Sequence, residues 1–208
     1  MDAHGLALYV VASLALIATP GQDMLYVITR SLAQGRAAGV YSAIGVCLGI
    51  VAHTALAALG VGAILSAGEG VFLALKFVGA AYLLWLGIRL LLSRETAQVT
   101  SSGAPALTVG ALVRQGMLSN LTNPKIVLFF LAFLPQFVDA ASEHPTRDLV
   151  LLGLLYAALA LPVKVAVGLA AGSLSERVIR RPGALVWMNR ASGTVLVALG
   201  LRLAAAER

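Results

Sequence analysis

Charge is what this sequence has least of: Asp, Glu, Lys and Arg together make up 12% of its 208 residues, against 60% for apolar side chains. A soluble domain of that composition would be coated in hydrocarbon, which excludes water as its solvent. The single cysteine, Cys47, excludes an intrachain disulfide and, inside an apolar Gly-rich stretch, reads as a structural thiol. Three scattered histidines make no metal-ligand spacing, no P-loop or dinucleotide glycine pattern occurs, and no nucleophile has a base beside it. The residues therefore point away from an enzyme, a cofactor and a resident metal. The net charge of +6 does not indicate nucleic acid, because the basic residues are dispersed among turns with no aromatic interleaving.

What the chain has instead is long apolar runs. Mean hydropathy is +0.92, and six runs reach the roughly 20 residues that a spanning helix needs, approximately 5–28, 38–65, 70–91, 111–137, 149–172 and 185–205. They predict an all-α integral membrane protein with six transmembrane helices in a single domain, 1–208. Five spans is the alternative, because Arg190 and Arg202 leave only Ala191–Leu201 uncharged between them in the sixth run, and both must snorkel to opposite interfaces. Residues 1–19 begin with Asp2 and His4 in place of a basic patch, so the first helix is expected to be retained and not cleaved as a secretory signal.

Basic residues fall in alternate turns. Arg30 and Arg36 flank the first, Arg89, Arg94 and Arg114 the third, and Arg177, Arg180 and Arg181 the fifth; the second has only Glu69, and the fourth, with Asp139, Glu143, His144, Arg147 and Asp148, is acidic on balance. The positive-inside bias then puts the odd turns in the cytoplasm and both termini outside. The only linker-like stretch, about 94–108, divides repeat 1, about 1–93, from repeat 2, about 109–208. Three spans per half require a duplicated second half to be inverted. An echo of such a duplication survives as Leu86-Gly87-Ile88-Arg89-Leu90 and Leu199-Gly200-Leu201-Arg202-Leu203.

Two interruptions carry the functional signal. Thr19-Pro20-Gly21 and Asn123-Pro124-Lys125 break the first and fourth runs, and their prolines lie 104 positions apart, half the chain. Broken helices are tolerated in a bilayer only where protein or a cavity satisfies the freed backbone, and a matched pair marks the substrate site of a transporter. Thr19 and Asn123 are good N-caps followed by proline at the first helical position, which would leave N–H groups at Gly21, Gln22 and Asp23, and at Lys125, Ile126 and Val127, to receive a carboxylate. Asp23 is the one carboxylate deep in an apolar run, where a charge costs about 2.5–3.5 kcal/mol on insertion scales, so it needs a partner or a proton. It either complements the helix end, binds a substrate ammonium or carries an exchanged proton. Lys125 is its counterpart at the second break, as a solvated cavity lysine, a carboxylate ligand or an ion-pair partner of Asp23. His53 follows Tyr41, Gly45 and Gly49 at steps of four and is either packed or a proton relay; Lys164 aligns with Ala160, Gly168 and Gly172 and is a candidate for a cavity or ion pathway.

These residues resemble the LysE/RhtB-type exporters of lysine, threonine, homoserine and other amino acids over nearly the whole chain. The most specific piece is Asn123-Pro124-Lys125-Ile126-Val127-Leu128-Phe129-Phe130-Leu131-Ala132-Phe133-Leu134-Pro135-Gln136-Phe137-Val138, joined by Thr19-Pro20-Gly21-Gln22-Asp23-Met24-Leu25 and by Leu75-Lys76-Phe77-Val78-Gly79-Ala80-Ala81-Tyr82-Leu83-Leu84-Trp85-Leu86-Gly87. The resemblance implies a bacterial inner-membrane exporter of amino acids or close derivatives, driven by proton exchange, with protons, the lipid bilayer and a small-molecule amino acid as its partners and homo-oligomerisation left open. One departure is Gln22, where the family commonly has a second proline; Gln22 can close a capping box with Thr19. A divalent-cation exporter and a noncatalytic membrane scaffold remain alternatives, the first short of oxygen ligands, the second without a reason for paired breaks. In a Cys47→Ala background, single cysteines at Ser101 and Ser142 are expected to label from opposite sides of intact cells. Labelling of both by an impermeant reagent from outside would overturn the six-span reading.

Overall fold

The computed structural model describes residues 3–66, 69–93, 105–138, 142–173 and 182–205. Among them all regular structure is helical, in eight α-helices: α1 (Ala3–Ala18), α2 (Gln22–Gln34), α3 (Arg36–Ser66), α4 (Glu69–Leu92), α5 (Val109–Leu121), α6 (Pro124–Leu128), α7 (Pro145–Ala171) and α8 (Pro182–Ala205). After α6 the chain continues as a π-helical segment, Phe129–Phe133, and a 3-10 turn, Leu134–Phe137. Helices α3 and α7 are long and apolar enough to cross a membrane, and α1 with α2 and α5 with α6 form two further candidates, bent by 49° and 54°. Helices α4 and α8, at 24 residues each, are about 36 Å long at 1.5 Å per residue.

The bend between α1 and α2 differs from the sequence expectation. Thr19 does not cap a new helix. Its N–H still bonds Ala15 O at 3.1 Å and its hydroxyl donates to the same carbonyl at 2.8 Å, so α1 runs on to the proline. Gly21 is extended and forms the N-cap of α2, with no side-chain cap and no Thr19–Gln22 capping box. The missing N–H of Pro20 ends the hydrogen bonding of α1, and the extended Gly21 sets the start of α2 at Gln22 instead of at the proline. The second break does follow expectation. Asn123 Oδ1 accepts the Lys125 N–H at 3.1 Å, with Pro124 at the first helical position. A third turn, after α2, uses Gly35 at φ +85°, where its N–H bonds Ser31 O at 2.8 Å, a conformation that side chains disfavour.

Packing is set by glycine. Helices α3 and α7 cross antiparallel, with the backbones of Gly39 and Gly168 meeting directly and the Thr54 side chain seated on Gly153. Gly45, Gly49 and Gly116 close the parallel contact of α3 with α5; a Cβ on Gly116 would stand 2.6 Å from Ser42 O. The glycines of the repeated Leu-Gly-X-Arg-Leu segments share one interface. A Cβ on Gly87 would lie 2.7 Å from Val197, and one on Gly200 2.8 Å from Leu84, so α4 and α8 are held together by the echo itself. The outer surface is hydrocarbon, with Leu59 82%, Leu92 75% and Trp187 74% exposed, as lipid contact requires.

The ends of the bundle are chemically distinct. At one end Gln34 exchanges two 3.0 Å hydrogen bonds with Leu107, Arg30 donates to Pro105 O and to Gln115 Oε1, and Gly172 at the end of α7 abuts Arg36. The first turn, the approach to α5 and the exit from α7 therefore share the arginine-bearing end. At the other end Tyr9 of α1 donates to Leu152 O at 2.7 Å and meets the Phe137 ring at 5.1 Å. Arg94, Arg177, Arg180, Arg181, Asp139 and most of the 94–108 linker lie outside the described residues. We expect Gly45→Ala to lower stability in detergent by about 1–3 kcal/mol through overpacking against the Val113 backbone. Gly60→Ala, with open space around it, should be neutral or slightly stabilising; thermal unfolding of both variants checks the contrast.

Candidate functional site

Both breaks meet at the centre of the bundle, and neighbouring residues of one contact neighbouring residues of the other. Gln22 Nε2 donates to Thr122 Oγ1 at 3.2 Å, and Asn123 Nδ2 donates to Asp23 Oδ1 at 3.1 Å. The partner of Asp23 on its other oxygen comes from α7: Lys164 Nζ lies 3.0 Å from Asp23 Oδ2, with both side chains 2% exposed. Asp23 is the only buried carboxylate among the described residues. Its charge is thus met by a lysine and an amide from two different helices, the arrangement that makes a buried ion tolerable.

The pairing corrects one sequence expectation. Lys125 does not form the ion pair with Asp23. Its ammonium donates to Thr19 O at 2.9 Å and Leu16 O at 3.1 Å, carbonyls of the last turn of α1 that have no helical partner. Lys125 therefore ties the end of the first half-helix to the start of the second. Gly21 lies beneath this junction; a Cβ there would be 3.1 Å from Lys125 Nζ and 3.5 Å from Asp23 Oδ1, which explains glycine at that position.

A second correction concerns the backbone donors. At the second break the Lys125 N–H is taken by Asn123 Oδ1, and those of Ile126 and Val127 by Asn123 O at 3.0 and 3.1 Å. None of the three is left to receive a carboxylate, whereas α2 at the first break has no side-chain cap.

Thr19, Gly21, Gln22, Asp23, Asn123, Pro124, Lys125 and Lys164 all belong to this junction. His53 stands apart from the ion pair: its Nε2 lies 3.4 Å from Asn120 O and its ring stacks on Phe130 at 5.6 Å. Three residues were missed. Thr122 is visible only once the breaks are seen to face each other. Asn120, fully buried one turn before the break, has no partner for its side-chain amide among the described residues. Tyr156 repeats the step of four that joins Ala160, Lys164 and Gly168 and was legible on that pattern; its hydroxyl is buried without a partner, and its ring packs on Phe129 at 4.7 Å and Phe130 at 5.7 Å.

Comparison with known proteins adds an independent line. A family profile described as LysE type translocator matches residues 14–207. An uncharacterized membrane protein of Vibrio cholerae is 32% identical over 207 residues, covering 100% of each chain, and one of Pseudomonas aeruginosa is 33% identical over 205 residues, covering 95% of this chain and 94% of its own. A leucine efflux protein of Klebsiella pneumoniae is 32% identical over 137 residues, 66% of this chain and 65% of that protein. No solved structure is significantly similar to the chain.

The two breaks should respond differently to loss of their polar side chains. Asn123→Ala removes a cap worth about 0.5–2 kcal/mol and a hydrogen bond to a carboxylate worth about 1.5–3 kcal/mol. Thr19→Val removes a hydroxyl that only doubles a helical bond already made. Thermal unfolding is expected to show a clear loss for the first and little for the second; equal losses would contradict the assignment of the caps.

Proposed function

The chain belongs to the LysE-type translocator family, and from that premise and the buried Asp23–Lys164 pair we propose that it exports amino acids with uncharged side chains from the cytoplasm across a bacterial inner membrane. The observation that carries this reading is a fixed negative and a fixed positive group, 3.0 Å apart at the meeting of two broken helices. A zwitterion presents the complementary pair. The likeness to leucine efflux proteins makes leucine the first substrate to test. With Asp23, Lys125 and Lys164 the junction carries one net positive charge, so a lysine or arginine side chain would enter a field of its own sign in a low-dielectric interior. The same two lysines argue against a divalent cation as cargo.

We further propose six spans arranged as an inverted 3+3 repeat, with the arginine-bearing end cytoplasmic and both termini outside. The paired breaks, the antiparallel pairing of α3 with α7 and of α4 with α8, and the shared end of the basic turns support it. The coupling ion in this reading is the proton, received by Asp23. A proton on that carboxylate and a substrate ammonium each break the Asp23–Lys164 pair, so either unlocks the carrier and the two are exchanged.

Purified protein in liposomes, assayed with labelled leucine, tests the proposal. Wild type is expected to show counterflow and flux driven by a pH gradient. Asp23→Asn, similar in size but without charge, should lose gradient-driven flux. Normal flux in that variant would remove Asp23 from coupling, and failure of wild type to move any neutral amino acid would overturn the export reading.

A further inference from the structure

We infer that Lys164 is the group that receives the substrate carboxylate, and that the Asp23–Lys164 pair is an internal stand-in for the zwitterion, exchanged for it on loading. The inference rests on the export reading above and assigns different tasks to the two buried lysines. Lys125 is anchored: its ammonium is spent on two backbone carbonyls of α1, at 2.9 and 3.1 Å, and drawing it away would leave both carbonyls buried without donors. Lys164 is not anchored in this way. Its ammonium has three donors, and among the described residues its one partner is Asp23 Oδ2, a removable contact to a 1% exposed cation.

The partner atoms favour exchange. Asn123 holds Asp23 Oδ1 at 3.1 Å, which keeps the carboxylate aimed while Oδ2 changes partner. A substrate ammonium arriving at Oδ2 displaces Lys164, and the substrate carboxylate arrives with it to take the displaced ammonium. Each ion of the protein trades one counterion for another, and the net charge of the junction is unchanged. A ligand with only one of the two groups leaves a buried charge unpaired. Such an amine strands Lys164, and such a carboxylate cannot release Lys164 from Asp23.

The test compares three probes that share one side chain: leucine, isopentylamine, which lacks the carboxylate, and isocaproate, which lacks the ammonium. Binding to purified protein in nanodiscs is measured by equilibrium titration, with unfolding temperature read alongside. Loss of one member of a buried charge pair costs about 2–5 kcal/mol, so wild type is expected to prefer leucine over either fragment by about 30-fold or more. Lys164→Gln should bring the leucine to isopentylamine ratio to one or below, because the leucine carboxylate then has no counterion. Lys164→Arg should restore part of it, and Lys125→Gln should lower the unfolding temperature but keep the ratio. Because each ratio is taken within one variant, partial destabilisation cancels. If Lys164→Gln does not fold, isocaproate is titrated into Asp23→Asn, where Lys164 is released to receive a carboxylate, and into Asp23→Asn/Lys164→Gln, where it is removed; equal isocaproate binding by the two would overturn the inference. A ratio kept in Lys164→Gln and lost in Lys125→Gln would transfer the role to Lys125 and overturn the inference alone. Wild type that binds none of leucine, isoleucine, valine, threonine or homoserine would overturn the export reading and this inference with it.

Discussion

A carboxylate buried among hydrocarbon sets the terms for the rest of this bundle. Asp23 is stable where it stands because Lys164 neutralises it and Asn123 satisfies its second oxygen. Those three residues come from α2, from α7 and from the cap of α6, so the ion pair can form only if both broken helices and the fifth apolar run converge. Removing one member of such a pair costs about 3–5 kcal/mol, since the other is then buried alone. The geometry around the pair follows from that demand. A Cβ on Gly21 would crowd the Lys125 ammonium, which is drawn onto the carbonyls of Leu16 and Thr19 at the end of α1.

The pair lies between two closed ends. Toward the arginine-bearing end, Ser31 donates to Gly168 O, and Gly39, Gly168 and Gly172 bring α2, α3 and α7 into backbone contact. Toward the other end, Tyr9, Phe129, Phe133, Phe137 and Tyr156 form a continuous aromatic cluster whose ring centroids lie 4.7 to 6.3 Å apart. Asp23, Lys125 and Lys164 are 1–5% exposed as a result. The two closures differ in kind: one is a set of close backbone contacts, the other a stack of rings on a π-helical segment, a local form that recurs at functional sites.

The paired breaks, Asp23 as a residue in need of a partner, and Asn123 as a cap were all legible in the chain, because proline, Asn and an isolated charge act locally. The Leu-Gly-X-Arg-Leu echo also carried more than a trace of duplication, since both of its glycines line the α4–α8 interface. Thr19 was misleading. Its type and spacing suit a cap, but Gly21 is extended and takes the cap position of α2, and the Thr19 hydroxyl turns back to Ala15 O. Tyr156 shares the step of four along α7 with Ala160, Lys164 and Gly168, a local pattern that places it on the same face.

Composition, run length and the positions of the two prolines by themselves determined a helical, multi-pass membrane protein with a polar site at its breaks, because burial of backbone and charge in lipid admits few other solutions. Which lysine neutralises Asp23 was decided only in three dimensions. Lys125 is the nearer choice by symmetry, yet the carbonyls at the end of α1 compete for it, and α7 brings Lys164 to the carboxylate from 141 positions away in the chain. Local chemistry shows that a charge needs a partner; only the packing of distant helices, with the competing acceptors each ammonium meets, selects it.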